Sequence, residues 1–126
     1  MFDLHDNEIL SYEIDLSNER ISIKTLNTSN ENVDLIFKNV LGYHFENEMK
    51  NSIILDIGKY SSINSFIKDY KELLEQRRDY VWPIQYDELA ELEEKLISES
   101  YSCYFVTPSL GLEGWVLAKS VETSKK

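Results

Sequence analysis

Along the first half of the chain, apolar and polar residues alternate in twos. Leu10, Tyr12, Ile14 and Leu16 fall on one side, with Ser11, Glu13 and Asp15 on the other. That is the period of a half-buried strand. Ser17–Glu19 supply turn residues, and a second alternating run through Ile21 and Ile23 makes the pair a hairpin. After the polar loop Asn27–Asn32, a longer run carries Val33, Leu35, Phe37, Leu41, Tyr43 and Phe45 on one parity. Ile36, Val40 and His44 take the other parity, and Asn39 and Gly42 place a bulge or bend inside the run. "ENEMKN" then turns the chain into "SIILDIG", a strand with apolar residues on both faces and so one covered on both sides.

The period then changes from two to between three and four. Behind Ser61 and Ser62, which suit an N-cap, Ile63, Phe66, Ile67, Tyr70, Leu73 and Leu74 form one apolar stripe on a helix reaching about Gln76. "RRDYVWPIQY" breaks the pattern at Pro83 and leads to a second helix, capped by Asp87, with Leu89, Leu92, Leu96 and Ile97 on its stripe. "YSCYFVT" and "GWVLAKSVE" read as two strands around a "PSLGLEG" loop. The predicted fold is α+β: an antiparallel β-meander sheet with two helices packed on one face and a C-terminal strand pair. It makes one domain over residues 1–126, with a tail frayed from about residue 122.

Composition narrows the function more than the fold. The net charge of −10 disfavours a nucleic-acid backbone or an anionic membrane as partner, since both are captured by lysine and arginine. No stretch approaches the roughly 18 apolar residues of a membrane span, and no basic, apolar leader opens the chain. A single cysteine, Cys103, fits a reducing, cytoplasmic setting. The acids are unevenly placed. From Asp79 to Glu113 there are eight (Asp79, Asp87, Glu88, Glu91, Glu93, Glu94, Glu99, Glu113) against one base, Lys95. Asp87 and Glu88 complement a helix N-terminus, whereas Glu91, Glu94 and Glu99 have no such local task. With Tyr80, Trp82 and Tyr86 beside them, they make a partner-binding set of aromatic anchors and acidic rim, chiefly Tyr80, Trp82, Tyr86, Glu91 and Glu94. The competing use of that segment is to pack the two helices together.

The candidates for chemistry are fewer. His44, in "GYHFENE", and Asp56, in the next strand, share the even-parity faces and would lie across from one another. Such a pair makes either a general base or a structural hydrogen bond, and no nucleophile or oxyanion loop accompanies it. His5–Asp6 invites a metal site with His44, but two histidines and no ligand spacing leave it unsupported. Cys103 among aromatics reads as a core residue, and "PSLGLEGWV" lacks the spacing of a phosphate loop. Trp115 reads as core. No cofactor and no catalytic residue is expected. A small hydrolase using His5, His44 and Asp56 is one rival reading, and a module that self-associates through a sheet edge is another.

Taken together, His5–Asp6, the strand Phe37/Val40/Tyr43/Phe45, the strand Ile53/Ile54/Asp56/Ile57 and the C-terminal "GLEGWVLAKS" resemble a group of small single-domain bacterial proteins. Some of that group act as immunity proteins, the cytosolic antidotes of toxin–immunity loci. The resemblance covers most of the chain and its motifs are structural. It implies a protein that binds and neutralises a toxin, and it carries over no catalytic residue. The acidity of the chain points to a basic toxin domain as partner, and the expected state is a monomer or weak homodimer without enzymatic activity.

Overall fold

The computed structural model describes residues 3–125. Eight strands, β1 (Glu8–Asp15), β2 (Arg20–Leu26), β3 (Asn32–Lys38), β4 (Gly42–Glu46), β5 (Ile53–Lys59), β6 (Ser102–Leu110), β7 (Glu113–Ala118) and β8 (Ser120–Lys125), form one antiparallel sheet. Their order is β4-β7-β6-β5-β1-β2-β3-β8. Three helices, α1 (Ile63–Asp69), α2 (Lys71–Arg77) and α3 (Leu89–Ser98), are inserted between β5 and β6. The α+β class, with the helices on one face of an antiparallel sheet, is as the hydrophobic pattern predicts.

The two ends of the sheet are joined by chain. Only Lys119 separates β7 from β8, and residues 39–41 separate β3 from β4. In effect two long, bent strands pair along their whole length, β3 with β8 and then β4 with β7. Lys119 N–H donates to Lys38 O and Leu41 N–H to Leu117 O across the bend. The sheet therefore curls around its own apolar face. Ile21, Ile23, Leu35, Phe37, Ile54 and Ile57 are fully buried there, facing Val106, Val116 and Ala118 from the far side. Asn7 Nδ2–H donates to Thr25 Oγ1 (3.0 Å), and that hydroxyl donates to Val33 O (2.6 Å), so these buried polar groups are satisfied.

The opposite face of β6 and β7 carries the helices. Phe66, Leu74, Leu92 and Leu96 meet Trp115 and Leu117 in a second apolar layer. Ser62 caps α1 as expected, its hydroxyl accepting from Ser65 N–H (3.1 Å). The one long helix expected after it is broken at Tyr70, whose ring packs on Trp115 (5.5 Å) and Phe66 (5.6 Å). Tertiary packing there overrides helix propensity.

Other departures have local causes. A bulge between Ile9 and Ser11 inverts the parity of β1, burying Ile9 and leaving Leu10 half exposed. Leu16, at the turn, is 81% exposed. The cap of α3 is Glu88 rather than Asp87, and Ile97, roughly 100° around the helix from Leu96, faces outward. Pro108, Ser109 and Leu110 extend β6 instead of forming a loop. The tail expected to fray from about residue 122 pairs with β3 as far as Lys125, because the curled sheet offers β3 no other neighbour on that side. Lys126 lies outside the described residues.

Candidate functional site

The partner-binding residues expected from sequence divide into three kinds. Tyr80 lies in a short 3-10 turn ahead of α3 and is 82% exposed. Val81, which follows it, is also exposed and holds a left-handed φ of 59°, a costly conformation for a β-branched residue. Trp82 is half-buried, packed at a tilt against Trp115 (5.7 Å) with the Arg77 guanidinium over its ring (5.0 Å). Tyr86 is a correction: it is 4% exposed and donates its hydroxyl to Leu74 O (2.8 Å), so it packs α2 under the segment and is no surface anchor.

The two glutamates also differ. Glu91 is held at both oxygens, accepting from Asp87 N–H (3.1 Å) and pairing with Lys95 Nζ (3.0 Å). The Asp87 amide, and then Lys95, hold its carboxyl below the usual carboxylate range. Glu94 projects into solvent with Ala90 and Ile97 on the outer face of α3. Arg77 and Arg78 enter beside Tyr80, so the acidic character belongs to α3 itself.

His44 and Asp56 do not face one another. Strands β7 and β6 stand between β4 and β5, and Asp56 pairs with Thr107. His44 instead uses its Nε2–H to donate to Glu46 Oε1 (2.9 Å). His5 donates from Nδ1 to Leu55 O (2.9 Å) and lies 3.5 Å from Asp6, which together raise its pKa. The three residues of the hydrolase reading are thus not assembled. Among the described residues no group of three or more His, Cys, Asp or Glu side chains is placed to share a metal ion. Cys103 is a core residue, and burial alone pushes its thiol far up.

The fold does create a feature that no local motif announces. A groove of about 380 Å³ opens over β4, β7 and β6, lined by His44, Glu46, Tyr60, Tyr70, Phe105 and Glu113 among others. Its floor depends on two glycines. A Cβ at Gly58 would stand 2.3 Å from the Phe105 ring, which lies over that position, and one at Gly114 would stand 2.0 Å from the His44 carbonyl oxygen. Tyr60 meets Phe105 edge-on (5.5 Å) and donates its hydroxyl to Asp69 (3.0 Å). Burial, then that hydrogen bond, raises its pKa strongly. His44 was visible in the sequence as a candidate, but its groove was not, because β4 reaches the β6–β7 hairpin only through the curl of the sheet.

Compared with known proteins, the chain matches no family model, and no curated protein or solved structure matches it significantly. Among the described residues no helix is long and apolar enough to cross a membrane.

Proposed function

We propose that this chain is an immunity protein: it binds a basic toxin domain in the bacterial cytosol and neutralises it by occlusion, without catalysis of its own. The observation that carries the reading is the outer surface of α3. Glu88, Glu94 and Glu99 are exposed there and make no ion pair among the described residues, on the same helix as an exposed Ile97, while Tyr80 projects from the turn ahead of it. Acidic side chains around apolar anchors speed capture of a basic partner and select against others. Glu94 is the better acidic contact, because Glu91 is already engaged by Lys95 and the Asp87 amide. Trp82, two residues after Tyr80, is fixed against the fold by its contact with Trp115.

The test is co-expression with the product of the neighbouring gene. A partner that is toxic alone, harmless beside this chain and co-purified with it at equal stoichiometry supports the reading. A neighbouring product that is harmless alone, or that kills equally in the presence of this chain, overturns it. With such a partner in hand, Glu91→Lys with Glu94→Lys should slow association by about tenfold and flatten its salt dependence. Unchanged association in that double variant removes α3 as the interface.

A further inference from the structure

We infer that the groove over β4, β6 and β7 is a seat for one arginine side chain of the protein partner, an inference that rests on the binding reading above. Glu46 and Glu113 are directly opposed across the β4–β7 ladder, so two carboxylates share one face of the sheet at the groove. Like charges in that position repel, and among the described residues no lysine or arginine lines the groove to relieve them. Each carboxylate is instead oriented by an uncharged donor, with His44 Nε2–H on Glu46 (2.9 Å) and Asn47 Nδ2–H on Glu113 (2.8 Å). Both contacts use Oε1, and among the described residues no hydrogen bond occupies Oε2 of either.

The rest of the wall is aromatic and held in place. Phe105 lies over Gly58, Tyr60 is tethered to Asp69, and Tyr70 is packed against Trp115. A planar cation suits this combination better than an ammonium. Guanidinium lies flat on aromatic rings and offers paired N–H donors to carboxylates, whereas an ammonium is a compact, strongly hydrated charge. Glu46 is near enough to Tyr70 to contribute to the raised pKa of that hydroxyl, behind the larger effect of burial. Carboxylate and aromatic walls therefore belong to one pocket.

The probe is N-acetyl-Gly-Arg-Gly-amide, with its citrulline counterpart as the uncharged isostere, titrated into the full chain and followed by amide and indole resonances. Arginine should give saturable shifts at the Gly114 amide and the Trp115 indole N–H, and citrulline should not. Glu46→Gln and Glu113→Gln should each weaken binding about threefold or more while raising Tm by about 1–3 °C, since either change relieves the repulsion. Equal shifts with citrulline, shifts confined to α3, undiminished binding by both Gln variants, or a lowered Tm in them would each overturn the seat. This outcome is separable from the fate of the immunity reading. Arginine-selective shifts with no toxin neutralised overturn that reading and leave the seat; a neutralised toxin with a silent groove overturns the seat alone.

Discussion

The two apolar layers of this protein are built from different materials. Inside the curled sheet lie mainly aliphatic side chains, with Ile21, Ile23, Leu35, Ile54 and Ile57 packed around Phe37. The polar Asn7 and Thr25 among them are hydrogen-bonded. Beneath the helices aliphatic side chains such as Leu74, Leu92, Leu96 and Leu117 share the layer with a cluster of rings, Phe66, Tyr70 and Trp82 packed on Trp115 and Tyr86 close by. There Trp115 Nε1–H, fully buried, has no acceptor among the described residues. An aliphatic layer shut inside a sheet has one task, which is to fill volume. Rings whose edges reach the surface can also wall a groove, and every surface feature argued above for function belongs to this outer layer.

Mutations that tell the layers apart can be ranked. Phe37→Ala should have the largest effect, about 3–5 kcal/mol of unfolding free energy by urea titration, because the sheet cannot close over the cavity. Thr25→Val should follow at about 1–3 kcal/mol: the shape is kept, but the buried Asn7 amide loses its acceptor. Trp115→Phe should cost under about 2 kcal/mol despite the lost volume, since it also removes an unpaired buried donor. If Trp115→Phe proved as costly as Phe37→Ala, the outer layer would be packed as tightly as the inner one and the distinction would fail. Smaller still is Tyr12→Phe, at about 0.5–1.5 kcal/mol, from loss of the hydrogen bond to Glu48.

The same division explains what could be read from the residues alone. The interior of β2 and β3 was legible, because strict alternation through Ile21, Ile23, Val33, Leu35 and Phe37 admits one buried face. The apolar stripe of α1 and the break near Pro83 were legible for similar local reasons. The bulge in β1, the break at Tyr70 and the pairing of β8 were not, since each depends on a neighbour distant in sequence. Tyr86 shows the limit for sites. An aromatic in a short connecting segment can anchor a partner or a helix, and only its bond to Leu74 O decides between them. The Glu46–Glu113 opposition was invisible for the same reason, being a product of the register between β4 and β7.

The finest comparison lies within α3, between a glutamate the fold uses and one it leaves to solvent. Glu91 bonds the Asp87 amide ahead of the helix and pairs with Lys95 one turn on, and both contacts favour its ionised form. Its folded-state pKa is therefore below the ordinary value of 4.5. The sign follows from linkage: the stabilisation is present above the ordinary value and is lost as pH falls through the lowered one. Urea midpoints of the parent and of Glu91→Gln should accordingly differ at about pH 6 and converge by about pH 3. The difference will be small, because the carboxylate is exposed and screened by water. Glu94→Gln, which breaks no hydrogen bond or ion pair among the described residues, should leave the midpoint unchanged at both pH values. A pH-dependent loss in Glu94→Gln would mean that α3 needs this acid for its own stability, and the argument for reserving it to a partner would fall.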